Sequence, residues 1–102
     1  MGEQVRICAE ADLPPEGEVG EVEAAGRMLC VARLGGAVCV VDGPCPHEGG
    51  PLGQGVLEDG RVVCPWHAFA YDLQTGVAEH DASFRVQVFE AEVRDGSVFA
   101  KL

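Results

Sequence analysis

Two short motifs constrain this chain more than anything else in it: Cys45-Pro46-His47 and Cys64-Pro65-Trp66-His67. The pattern is C-x-H followed by C-x-x-H. Each half brings one soft sulfur and one imidazole nitrogen, so a single S₂N₂ site forms if the halves meet. The stretch between them, 48–63, contains Asp59-Gly60 flanked by short apolar runs. That is a hairpin signal. A short hairpin over Gly55–Cys64 joins the two loops, so both motifs can emerge at the same end of a sheet. Prolines stiffen each motif. Glycines at 43, 49, 50 and 53 let the backbone come close to a metal-bound sulfur or an anion.

Thiolate and imidazole together suit zinc or iron–sulfur chemistry. Zinc sites of the Cys₂His₂ kind usually group like with like, C-x₂₋₄-C and then H-x₃₋₅-H. Here each pair is mixed, and C-x-H is too tight for the usual knuckle. The mixed pairs fit better a [2Fe–2S] centre in which Cys45 and Cys64 hold one iron and His47 and His67 hold the other.

The rest of the sequence reads as short strands punctuated by turns. Strands are expected near 5–9, 19–24, 28–33, 38–41, 55–58, 61–64, 70–72, 85–88, 91–94 and 97–101. Gly35-Gly36 and Asp95-Gly96 join Asp59-Gly60 as hairpin signals. Pro14 and Pro15 exclude helix or central strand at 13–17. No long segment shows helical periodicity, so a small all-β barrel or sandwich is expected.

At 102 residues a single domain spanning 1–102 is expected. The chain carries 17 acidic and 7 basic residues, a net charge of −10. Nucleic acid and anionic membranes are therefore poor partners. No apolar run approaches the ~20 residues needed to span a bilayer, and the N-terminal residues show no signal pattern. The expectation is a soluble, cytoplasmic protein. Five cysteines are an odd number, which argues against a disulfide framework. Cys8, Cys30 and Cys39 sit within apolar runs and read as small buried hydrophobes. His80, in a polar stretch, reads as a solvated loop residue. Glu16, Glu18, Glu21 and Glu23 read as a solvated face.

From Cys45 to Gly76 the sequence resembles the Rieske [2Fe–2S] domain, and it looks most like the small Rieske-type ferredoxins of bacterial aromatic-ring dioxygenase systems. The resemblance extends more weakly to 11–17 and to the final hairpin at Asp95-Gly96. It implies three stacked antiparallel sheets with a small cluster-binding subdomain at about 44–71. It implies one [2Fe–2S] cluster, with Cys45 and Cys64 on the inner iron and His47 and His67 on the outer, solvent-facing iron. Leu52 would cover the cluster. Trp66 and Phe69 read as shielding it, with partner contact or electron exit as the alternative, and Tyr71 reads as donating to a ligand sulfur, with plain packing as the alternative.

Two departures from the respiratory Rieske proteins stand out. Those proteins tie the two loops with a disulfide at positions matching Gly50 and Trp66, where none can form here. They also carry a Ser at the position of Phe69, donating to a bridging sulfide. Losing that donor lowers the expected potential. The function implied is one-electron transfer from a flavin-containing, NAD(P)H-dependent reductase to a terminal oxygenase, with no catalysis by this chain alone. The alternatives are a small subunit of an assimilatory nitrite reductase and a cluster-free zinc or interaction module.

Overall fold

The computed structural model describes residues 3–46, 49–66 and 68–102. Ten strands form three antiparallel sheets, as the resemblance implied. The first sheet has the order β1 (Gln4–Ala9), β10 (Ser97–Lys101), β9 (Ala91–Arg94). The second has the order β2 (Val19–Ala24), β3 (Arg27–Leu34), β4 (Ala37–Asp42), β8 (Val88–Phe89). The third, β5 (Val56–Glu58), β6 (Arg61–Val63), β7 (Ala70–Asp72), carries the ligand loops. No helix among the described residues is long and apolar enough to cross a membrane.

The layering follows from alternation along β3 and β4. Leu29, Val31 and Val40 point to one side and pack with Ile7, Phe89 and Val98 of the first and second sheets. Cys30, Ala32 and Val41 point to the other side and pack with Val62, Tyr71 and Leu73. The register Cys30↔Val41 and Val31↔Val40 keeps each pair on its own face. The second sheet is therefore the middle layer, buried on both faces. That is why β3 reads as a nearly continuous apolar run.

Four two-residue turns join neighbouring strands with both central residues at positive φ, the arrangement that suits hairpin twist. Gly35-Gly36, Asp59-Gly60 and Asp95-Gly96 are the three signalled by sequence. The fourth, Ala25-Gly26, has Ala25 at φ 53° and carries no such signal. Nine of the ten expected strands lie within a residue or so of where they were placed. The exception is 85–88. Arg85 makes only an isolated bridge to Val77, and Val86 N–H donates to Gly76 O at 2.8 Å. The alternation there comes from Val86 dipping into the core out of an irregular segment, and only Val88–Phe89 joins a sheet. Two 3₁₀ turns, Glu10–Asp12 and Leu52–Gln54, are too short for a periodicity signal.

Glu16 is exposed, as the solvated-face reading expects, and it also makes backbone contacts. Gly35 N–H and Gly36 N–H donate to its two carboxylate oxygens at 2.6 and 2.9 Å, so it closes the β3–β4 turn. These bonds hold its carboxyl below the ordinary 4.5, and the nearby Arg33 adds to the effect. Glu21 accepts from Gln54 Nε2 at 3.2 Å, which ties β2 to the 3₁₀ turn of the first ligand loop.

Candidate metal centre

The two cysteine loops are built the same way. Cys45 N–H donates to Gly50 O at 2.8 Å, and Gly49 N–H donates back to Cys45 O at 2.7 Å. In the second loop Cys64 N–H donates to Phe69 O at 2.8 Å, and Ala68 N–H donates back to Cys64 O at 3.0 Å. The residue four positions after each cysteine is left-handed: Gly49 at φ 82° and Ala68 at φ 60°. Each cysteine thus sits at the head of an identical closed ring of backbone bonds. The histidines differ only in offset, two residues after Cys45 and three after Cys64. His47 and His67 lie outside the described residues.

Sheet geometry explains why the rings face each other. Gly43 N–H donates to Met28 O at 3.1 Å and Leu52 N–H to Gly43 O at 3.0 Å, anchoring the first loop to the middle layer. The second loop spans β6 and β7, which pair through Val63↔Ala70. Both cysteines are buried and share one apolar cluster with Leu52, Val62 and Tyr71. No disulfide joins any of the five cysteines.

Tyr71 is fully buried, and its Oη lies 3.1 Å from Cys45 Sγ. A thiolate can only accept, so with Cys45 as a metal ligand the phenol is the donor. A hydroxyl aimed at one buried sulfur, with a second buried sulfur in the same cluster, fits the thiolate half of a [2Fe–2S] site. Leu52 is completely enclosed, which fits a residue that excludes water from the sulfurs. Phe69 stands beside Tyr71, ring centroids 6.4 Å apart, and Phe84 meets Phe69 edge-on at 5.5 Å and 89°. Phe69 and Phe84 pack against the apolar cluster that holds both cysteines and Tyr71. Trp66 leaves 57% of its surface exposed.

The remaining titratable candidates lie elsewhere. Cys30 is buried in the middle layer, and burial pushes its thiol up to about 12. Cys8 and Cys39 are raised as well, chiefly by burial. Cys8 and Cys30 are buried, in keeping with the reading as small buried hydrophobes, whereas Cys39 is half-buried. His80 is exposed and lies beside its neighbour Glu79, Nε2 to Oε2 3.8 Å. Phe84 is the contributor to the site that sequence reasoning gave no such role, whereas Gly50 lies against the Cys64 sulfur, as expected of a glycine that lets the backbone come close. Phe84 had no signal, since it lies in an irregular segment far from both motifs.

Comparison with known proteins agrees with this geometry. The family model of the Rieske [2Fe–2S] domain matches residues 3–90. Ferredoxin CarAc of Metapseudomonas resinovorans is 31% identical over 97 residues, which cover 93% of this chain and 90% of that protein. Apoptosis-inducing factor 3 of Mus musculus is 36% identical over 76 residues, 74% of this chain but only 12% of that protein's length. Among solved structures, the Sphingomonas yanoikuyae B1 ferredoxin superposes with a TM-score of 0.86 at 25% identity, covering 98% of this chain and 99% of that one. A chain from a complex of reduced oxygenase and oxidized ferredoxin in carbazole 1,9a-dioxygenase gives 0.81 at 30% identity, covering 94% and 99%. A nitrite reductase small subunit from Mycobacterium tuberculosis, at 24% identity, covers 100% of this chain and 96% of that one and shares the fold with a TM-score of 0.87. With the twin cysteine rings, the phenol on Cys45 and a family match across most of its length, this chain belongs to the Rieske [2Fe–2S] domain family and takes one [2Fe–2S] cluster as its cofactor.

Proposed function

We propose that this chain is a one-electron carrier whose cluster is held by Cys45 and Cys64 on the inner iron and His47 and His67 on the outer. The observation that carries this assignment is the 3.1 Å contact between Tyr71 Oη and Cys45 Sγ inside a pair of matching loops. A bound [2Fe–2S] cluster takes up and gives back one electron. The protein's own residues do the rest. Tyr71 donates to a ligand sulfur and draws charge off it. Leu52 keeps water from the sulfurs, and Phe69 and Phe84 close one flank. The cluster-binding subdomain spans about 44–71 of a single domain covering 1–102.

The relatives support an oxygenase as the electron's destination, and the resemblance to dioxygenase ferredoxins suggests its source. Several sequence relatives spanning nearly the same length are named as ferredoxins or ferredoxin components, and one matched chain comes from a complex of oxygenase and ferredoxin. The reading is a flavin-containing, NAD(P)H-dependent reductase as donor and a terminal oxygenase as acceptor, in the cytoplasm. The nitrite reductase alternative has the shared fold in its support and nothing further.

The test is direct. Protein purified without oxygen should hold two irons and two sulfides, colour red-brown, and give a one-electron Rieske-type paramagnetic signal on reduction. Cys45→Ser and Cys64→Ser should each abolish that signal, since each is the sole thiolate of its loop. A normal spectrum and iron content in both variants would overturn the assignment.

A further inference from the structure

Gly50 belongs to the first loop, where its carbonyl closes the Cys45 ring. It is buried, and its φ is not positive, so its need for glycine is not conformational. The need is space. A Cβ at this position would lie 2.8 Å from Cys64 Sγ and 3.0 Å from both Cγ and Cδ2 of Trp66. All three atoms come from the second loop. The neighbouring Gly49 is the opposite case, at φ 82° with nothing within 4 Å of an added Cβ. The first loop's backbone is therefore pressed directly against the ring and the sulfur of the second. Trp66 is held by this contact and not by burial, because most of its surface faces solvent. The two sulfurs are treated crosswise. Cys45 is met by Tyr71 from beyond the second loop, and Cys64 by Gly50 from the first.

We propose that Gly50 and Trp66 form a noncovalent clasp between the ligand loops, and that Trp66 is a positioning residue that keeps water from the Cys64 side of the cluster. The proposal rests on the reading of Cys64 as a ligand. It also explains why residues at these two positions need no disulfide. A flat ring on a bare peptide brings the loops as close as a covalent tie, by dispersion contacts that any side chain at 50 would prevent. The clasp bears on the electron as well. Two thiolates and the oxidised 2+ core sum to zero charge, and the reduced site carries one negative charge. Water admitted beside Cys64 favours the charged form, so opening the clasp raises the potential.

The experiment uses the full, cluster-loaded chain. Iron release to a chelator and the midpoint potential are measured for wild type, Trp66→Ala, Trp66→Phe, Gly50→Ala and the double variant Gly50→Ala/Trp66→Ala. Trp66→Ala should release iron severalfold faster and shift the potential upward. Trp66→Phe should restore most of both. Gly50→Ala should also release iron faster, and adding Trp66→Ala to it should change little, because the contact is already lost. Unchanged release and potential in Trp66→Ala would overturn the proposal. So would Trp66→Phe behaving like Trp66→Ala, or rates that multiply in the double variant. Trp66 is exposed, so its variants keep the test alive if Gly50→Ala does not fold. Cys64→Ser, made alongside, separates the two levels. Its retaining the cluster overturns the ligand reading, whereas its losing the cluster beside an unaltered Trp66→Ala overturns the clasp alone.

Discussion

The phenol of Tyr71 is fully buried, and its Oη lies 3.1 Å from the Cys45 sulfur. Removing the hydroxyl therefore takes a hydrogen bond from that sulfur. A hydrogen bond to a charged sulfur is stronger when the site gains an electron, by an amount on the order of 1 kcal/mol. For a one-electron couple that is about 45 mV. Tyr71→Phe should lower the midpoint potential by roughly that much, and Phe69→Ser should raise it if the new hydroxyl reaches a sulfide; voltammetry on both variants checks the ranking. With Phe69 unable to donate, the wild-type value is expected in the lower part of the Rieske window of about −150 to +300 mV. At this scale the sequence is most readable where chemistry is local. Cys45, Cys64, Leu52 and Tyr71 were all singled out from spacing and resemblance, and the structure gathers them into one cluster. Phe84 was not, because its role arises from the path of an irregular segment that no periodicity describes. His47 and His67, also singled out, lie outside the described residues.

At the scale of elements, turns carry the testable content. Glu16 holds the β3–β4 turn through two backbone N–H groups, which lowers its carboxyl below the ordinary 4.5. Asp72 does the same at the end of β7, accepting from Gln74 N–H at 2.7 Å and Thr75 N–H at 2.9 Å, and is held below its ordinary 3.8. A group with a lowered folded value adds stability above its unfolded value and loses it as pH falls through the folded one. Melting temperature should therefore drop as pH falls below about 4.5, and Glu16→Gln should flatten the upper part of that fall. A Glu16→Gln protein with an unchanged acid profile would show that the turn does not depend on the carboxylate. Ala25 is the other informative turn residue. A left-handed alanine costs roughly 1 kcal/mol, so Ala25→Asn or Ala25→Gly should raise the melting temperature by a few degrees. The hairpins were readable wherever glycine or Asp-Gly announced them. Ala25-Gly26 escaped because the strands on either side, and not the residue itself, impose its conformation.

The whole molecule contains two apolar layers separated by one sheet, and they should respond differently to the same injury. Leu29 lies in the layer remote from the cysteines, whereas Leu52 shares a cluster with both. Each leucine is completely buried, so truncation to alanine should cost about 2–5 kcal/mol in either place. Leu29→Ala should leave the potential where it was, and Leu52→Ala should shift it upward as water gains access. Denaturant unfolding and voltammetry on the pair would show whether the layers are electronically separate. The three-layer order was legible only through resemblance. Alternation alone marks two faces per strand, and the double burial of β3 and β4 becomes visible once partners are assigned.

The first and last strands in the sequence, β1 and β10, pair along their lengths, and Leu102 N–H donates to Glu3 O at 3.1 Å. The described residues nearest each end thus belong to one sheet, and the middle layer stands between that sheet and the ligand loops. A graft made at either end, whether a fused polypeptide or a tether to an electrode, is anchored on the face opposite the redox tip. The fold is in effect a plug with its cable at the back, so it can be wired into larger assemblies without altering what the tip presents.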